Sequence, residues 1–242
     1  MTEYAIVEAE PPSDESRLAW MALTLTPGMG PTRIRKAMER LRGTSGIAHL
    51  LHASLTELEA CGLPAASVQF VFDGRAQTAA EQEIKRLTEA GGRFLTQDCA
   101  EYPERLLEIY DPPPLLYVRG DLQALSRHSI AIVGTRRPTP YGNQITERLA
   151  RDLAGRGLVI VSGLARGIDS SAHRGACAAP RGCTIGVLGC GIDVVYPKEN
   201  RKLYAEVEKR GAIVSEFPLG SYPAPDNFPV RNRIVAGMVL GV

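Results

Sequence analysis

Gly134-Thr-Arg-Arg137 follows the short apolar run Ile130–Val133 and precedes a helical pattern. These residue types suit one task, which is holding a phosphate. Glycine lets backbone approach a ligand closely, and the amides at the start of a helix are unpaired and carry about half a positive charge. Thr135 adds a hydroxyl donor, and Arg136 and Arg137 add two full charges. The plain alternative is a surface turn that is Arg-rich without consequence. Three further turns repeat the composition. Ser162, Gly163, Arg166, Gly167 and Asp169 form the second. Gly189 and Gly191, followed by Lys198 and Asn200, form the third; Ser215, then Phe228, Arg231, Asn232 and Arg233, form the fourth. A mononucleotide needs one such cradle. Four cationic turns on one edge suggest several phosphates, hence an oligonucleotide. Phe228, Tyr196 and Tyr222 are candidate stacking platforms, each worth about 1–3 kcal/mol per base if used. The alternative for them is ordinary loop packing.

Other chemistries find less support. Asp169 and His173 are four apart on an expected helix, a spacing that admits a catalytic pair. The favoured reading is structural: Asp169 as a helix cap and His173 as a hydrogen-bonded core residue. No nucleophile with an attendant base stands out, so no catalytic residue is expected. There is no G-x-G-x-x-G with a downstream acid and no G-x-x-x-x-G-K-[ST], which disfavours a dinucleotide cofactor and an ATPase loop. The five cysteines form no C-x-x-C pair, so neither a disulfide framework nor a zinc site is expected. Reduced thiols in a cytoplasmic protein, with no metal and no cofactor, are the expectation.

These turns need a scaffold that brings them together. From Ser129 onward, strands alternate with helices. The expected strands are 130–133, 159–161, 184–188 and 212–215, and the expected helices are 142–156, a segment from the 163–169 turn to about 178, 201–210, and one after Phe228. Ile145, Leu149 and Leu153 are the expected apolar face of the first helix, and 238–242 the start of another strand. This alternation specifies an α/β fold, a Rossmann-like, doubly wound parallel sheet with right-handed crossovers. In such a sheet ligands bind outside the carboxyl ends of the strands, which is where all four turns would meet.

Upstream, residues 1–16 read as a loose leader and 17–74 as a small all-α domain. Residues 75–242 form the Rossmann-like domain, with Phe72-Asp-Gly-Arg75 as linker and the 93–120 stretch as an extra layer. Pro27-Gly-Met-Gly30 joins two helices in the order of a helix-hairpin-helix element, whose amides can meet a duplex-DNA phosphate. The favoured reading of its glycines is backbone geometry alone. With 28 basic and 27 acidic side chains the net charge is +1, so any nucleic-acid surface must be a local patch. No apolar run is long enough to span a bilayer, and the N-terminus lacks the pattern of a secretory signal.

Taken in order, Val133-Gly-Thr-Arg-Arg-Pro138, Val161-Ser-Gly-Leu-Ala-Arg-Gly-Ile-Asp169 with Ala172-His173, Leu188-Gly-Cys-Gly-Ile-Asp193, Tyr196-Pro-Lys-Glu-Asn200 and Phe228-Pro-Val-Arg-Asn-Arg-Ile234 resemble the successive blocks of the DNA-processing protein A family (DprA, or Smf). The helical segment is similar to the sterile-alpha-motif-like domain that precedes the DprA core. The resemblance implies an extended Rossmann fold that binds single-stranded DNA without cutting it. It further implies protection of incoming DNA, loading of the recombinase RecA in natural transformation (competence), and a homodimer formed through the Rossmann domain. It places the phosphate pocket at Gly134, Thr135 and Arg136 with Ser162, Gly163 and Gly167, and the basic groove at Lys198, Arg231 and Arg233. Many relatives carry Ser where Thr135 stands. Relatives also continue past Gly241-Val242, so closure of the pocket and dimerisation are open. The competing expectation is a nucleotide-binding hydrolase or sensor similar to the phosphoribohydrolases, whose P-G-G-x-G-T-x-x-E motif is absent here.

Overall fold

The computed structural model describes residues 11–41 and 46–242. Helix α1 spans Asp14–Leu25, and the Ser13 side chain caps it by accepting the Ser16 amide at 3.1 Å. The expected leader therefore runs too far at its C-terminal end: a Ser cap followed by Asp14 and Glu15 is a helix start. Residues 1–10 lie outside the described part. Helix α2 (Pro31–Leu41), a 3-10 turn (Ile47–Leu51), α3 (Leu55–Ala60), α4 (Ala65–Phe72) and α5 (Arg75–Glu89) complete the helical region. A reciprocal capping box between Ser54 and Glu57 starts α3. The Pro27–Gly30 turn is tied inward, with the Ser67 hydroxyl donating to the Pro27 carbonyl at 2.8 Å and Arg33 donating to that of Gly28 at 2.5 Å.

The expected linker is only the tight turn between α4 and α5, because Gly74 adopts φ +72°. Beyond it, α5 packs along α1. Trp20, Met21 and Leu23 of α1 share one buried cluster with Phe94, Tyr117 and Ile213 of the sheet. The Trp20 indole N–H donates to Asp98 at 2.9 Å. The helical region and the sheet thus share a core.

The sheet has six strands, β1 (Arg93–Thr96), β2 (Leu115–Gly120), β3 (Ser129–Ala131), β4 (Val159–Ser162), β5 (Cys183–Val187) and β6 (Ala212–Ser215), in the order β1-β2-β6-β5-β4-β3. β3 to β6 are parallel, whereas β1 and β2 are antiparallel additions at the β6 side. This corrects the expectation of an extra layer. Leu115 to Val118 is apolar on both faces because it lies inside the same sheet, with Tyr117 opposite Ser215. A short helix, α6 (Glu104–Leu107), connects β1 to β2.

Stepping from β3 to β6 in one direction with right-handed crossovers puts α7 (Pro140–Gly155), α8 (Ile168–Ala178) and α9 (Arg201–Arg210) on one face. Helix α10 (Asn227–Gly237) covers the other, its Ile234 and Val235 packing with Val159, Val161 and Val187. Past α10 the chain returns beside β3: the Leu240 amide donates to Ser129 and the Ala131 amide to Gly241, each at 2.9 Å. The winding reverses at β3, whose carboxyl end carries Gly134–Arg137. That reversal is the crevice where a doubly wound sheet binds its ligand.

One helix face differs from the sequence pattern. Ile145 and Leu149 are 44 % and 48 % exposed, and Thr146, Ala150 and Ala154 face inward instead. The reason is α8, which meets α7 through Ala172, Gly175 and Ala176. A Cβ on Gly175 would run into the Glu147 carbonyl oxygen. The helices approach too closely for the long side chains of Ile145 and Leu149 to sit between them.

Candidate nucleic-acid interface

The α7 amino terminus is already occupied by its own cap. Thr139 caps it, accepting the Gly142 amide at 3.1 Å, and Pro140 follows. The open backbone lies just before, in Gly134–Arg136. The Thr135 hydroxyl oxygen accepts the Arg137 amide at 3.2 Å, leaving its proton to donate, and the Thr135 carbonyl accepts the Ile168 amide at 3.2 Å. Among the described residues the Thr135 and Arg136 amides take no acceptor. Gly167, at φ +78°, lies where a Cβ would strike the Thr135 carbonyl, so glycine is required for the two loops to touch.

Asp169 joins these loops. Its carboxylate accepts the Gly163 amide at 3.1 Å, and the amides of Ala165 and Gly134 also serve it. Burial raises its pKa, and Arg231 and the three amides pull the other way. The cap of α8 itself is Gly167, so Asp169 caps a neighbouring loop rather than its own helix. Arg231 is 5 % exposed. It donates to the carbonyls of Gly163, at 2.9 Å, and of Val187, and to the Asn232 side chain at 3.2 Å. Burial lowers its pKa, and Asp169 opposes that. Arg231 therefore fastens the ends of β4 and β5 together. A Cβ on Gly163 would lie 2.6 Å from its Cζ, so this glycine is required by the arginine.

Other expected site residues are structural supports. Ser162 donates to the Ile132 carbonyl at 2.7 Å. Asn200 is buried and donates to the Leu164 carbonyl and to Ser170, each at 2.9 Å. Gly189 makes room for Phe228, whose ring a Cβ would meet at 2.9 Å, and Gly191 makes room for the Pro218 carbonyl at 2.7 Å. Arg233 does not join the groove. Glu216 holds it with two bonds at 3.0 and 2.6 Å, and Asp111 takes its Nε at 3.0 Å. Two residues along α10 from Arg231, its side chain leaves the helix on a different side. His173 is wholly buried, 2.7 Å from the Thr184 hydroxyl, which itself donates to the Ile160 carbonyl. Burial pulls its pKa down to about 3, so it is a neutral core residue and no partner of Asp169.

What remains is a cleft. A cavity of about 320 Å³ is lined by Gly134, Arg136, Gly163, Asp169, Phe228 and Arg231, among others. A smaller recess of about 30 Å³ adjoins it, with Arg136, Gly163 and Phe228 shared and Arg166 and Tyr196 added. The Arg136 guanidinium stands 5.5 Å over the Phe228 ring, and Tyr196 tilts against the same ring at 5.8 Å. Arg136, Arg137 and Lys198 are exposed cations, and Arg166 is ion-paired to Glu199. Tyr222 is exposed but lines neither space. Grooves elsewhere are larger, such as one of about 740 Å³ beside Arg93 and Asp121, but none gathers this set of amides, cations and rings. Glu199 escapes a reading of sequence because a carboxylate in a turn carries no sign of whose arginine it meets.

The family description "DNA recombination-mediator protein A" matches residues 93–242. The chain belongs to this family. Three relatives fix how far the likeness extends. Protein Smf of Synechocystis is 36 % identical over 223 residues, covering 90 % of this chain and 55 % of the relative. DNA processing protein DprA of Bacillus subtilis is 44 % identical over 155 residues, covering 64 % and 52 %. DprA of Streptococcus pneumoniae is 35 % identical over 215 residues, covering 89 % and 73 %. The chain thus spans about half the length of the first two. The X-ray structure of the Streptococcus pneumoniae DprA superposes with a TM-score of 0.78 at 29 % identity, covering 94 % of this chain and 76 % of that one. DNA processing protein A of Helicobacter pylori, described as having a unique single-stranded DNA binding mode, matches with a TM-score of 0.56 at 38 % identity, covering 61 % and 66 %. Every cleft residue named above falls within the part matched to the DprA family. Among the described residues no helix is long and apolar enough to cross a membrane.

Proposed function

We propose that this chain binds single-stranded DNA along the carboxyl edge of its sheet without cutting it, and in that way protects incoming DNA and helps load RecA in natural transformation. One observation carries the reading. Arg136 stands over Phe228 at a cleft lined by Gly134, Gly163 and Arg231, with Arg166 and Tyr196 in the adjoining recess. A phosphate meets Thr135, Arg136 and the free amides; Arg137 and Lys198 hold its neighbours; a base stacks on Phe228 or Tyr196. Arg231, Asn232 and Asp169 form the floor, and Arg166 joins when it leaves Glu199. The family resemblance supports a cytoplasmic homodimer formed through the Rossmann part, with RecA as partner.

A binder, rather than the hydrolase alternative, is favoured by how the two best acid–base candidates are used. Asp169 is occupied by loop amides, and His173 is buried away from the cleft. Titration of labelled oligo(dT) over a salt series tests the proposal. Wild type shows log K falling by about 0.7 per phosphate neutralised per log unit of salt, and Arg136→Ala lowers that slope by about 0.7. Equal affinity and slope for the two proteins would remove the assignment. Release of free base from nucleotide monophosphates would favour the hydrolase.

A further inference from the structure

We propose that Glu83, on α5 of the helical region, is a positioning residue for the DNA cleft: its carboxylate fixes the β6–α10 connection and, through it, the wall that carries Phe228 and Arg231. The inference rests on the reading of that cleft as the single-strand site.

Glu83 is 5 % exposed. Its Oε1 accepts the Leu219 amide at 2.7 Å, and its Oε2 accepts from Arg86 at 3.2 Å. The next amide, Gly220, donates to both oxygens of Asp193 at 2.9 and 3.0 Å. Two successive amides thus meet two different carboxylates, and Gly220, at φ +75°, turns the chain sharply just after them. The Ser221 carbonyl accepts the Gly191 amide at 3.1 Å, and the Asn227 side chain donates to Gly189 at 3.1 Å. Phe228 follows directly, its ring against Gly189. Consecutive residues of the connection are therefore fixed by α5 and by the β5 turn, and α10 begins from that fixed base.

Stability alone is a poor reason for this arrangement. A buried carboxylate loses its hydration, and a well-packed apolar side chain of similar size is often as stable or more so. What the carboxylate supplies is direction. It holds one backbone amide at one point, and the aromatic wall of the cleft lies nine residues on. The helical region thereby sets the geometry of a DNA site to which it contributes no lining residue.

The test compares Glu83→Ala, Glu83→Gln and Asp193→Ala with wild type. Two readouts are taken well below each melting temperature: oligo(dT) affinity, and amide hydrogen exchange at Leu219 to Phe228 without DNA. Glu83→Ala is expected to weaken binding by about 3- to 10-fold and to lower protection of the connection. Glu83→Gln keeps an acceptor oxygen and restores most of both. Asp193→Ala, at an exposed position, reproduces the loss and carries the test if Glu83→Ala fails to fold. A Glu83→Ala protein that melts earlier but binds as wild type, or an Asp193→Ala protein unchanged in both readouts, would overturn the proposal. Failure of the cleft reading is separable, because it appears as an indifferent Arg136→Ala while exchange at the connection still responds to Glu83.

Discussion

Replacing Arg231 by Met separates a cation that builds the cleft from one, Arg136, that is proposed to face DNA. The side chain is buried, and its donors go to the carbonyls of Gly163 and Val187 and to Asn232. Met fills much of the same volume but donates nothing. Two carbonyls then lose their partner, and the Asp169 carboxylate loses the positive charge that opposes its desolvation. Removing one member of a buried charged set costs about 3–5 kcal/mol. For a chain of this length each kcal/mol shifts the melting temperature by about 2–4 °C, so the expected drop is roughly 6–20 °C. Oligo(dT) titration at low temperature provides the second reading. Affinity falls because the β4 and β5 loops loosen, but its slope against log salt stays at the wild-type value, since no phosphate contact is lost. Arg136→Ala should behave in the opposite way, with an unchanged melt and a slope lower by about 0.7. An Arg231→Met protein that melts within about 2 °C of wild type yet loses a phosphate's share of the salt slope would refute the reasoning, because it would place Arg231 against DNA.

Three further outcomes follow from the same geometry. His173 has a folded-state pKa of about 3 against an ordinary 6.5, so the unfolded chain binds the extra proton. Its contribution to stability is present above pH 6.5 and is lost as pH falls toward 3, with about 2 kcal/mol gone by pH 5; urea unfolding at pH 7.5 and pH 5 should show this loss, and His173→Gln should abolish it. Gly175→Ala drives a methyl against the Glu147 carbonyl and to 2.9 Å from the Ala150 Cβ, so it should cost about 1–3 kcal/mol in a thermal melt despite the better helix propensity of Ala. Glu199→Gln frees Arg166, so oligo(dT) affinity at low salt should rise by about 2- to 5-fold, and the gain should vanish in an Arg166→Ala background.

The strands were legible in the sequence because the parallel ones are short apolar runs ended by glycine or serine. β6 and α9 fall at their expected limits, and the 238–242 expectation meets real pairing with β3. The antiparallel addition of β1 and β2 was not legible, since alternation along the chain says nothing about which edge a distant strand will join. The inward face of α7 was misread for a related reason: bulky Ile145 and Leu149 attract attention, while the deciding residue is Gly175 on another helix. The cleft was legible as a place, because the fold gathers strand ends on one edge. Roles within it were not. Arg136, Arg166, Arg231 and Arg233 look alike as letters, and only their partners separate an open cation from one held by a carboxylate or by main-chain carbonyls.

The seam of alanine and glycine between α7 and α8 has a consequence at its far end. The loops 134–139 and 163–167 each lead into one of these helices, so the seam holds from behind the same spacing that the Thr135–Ile168 hydrogen bond holds at the loops themselves. Two rods without space to slide act as a ruler. The distance between the two halves of the cleft is thus held at two levels, and on the proposed function a chain of phosphates would have to fit that spacing as it stands.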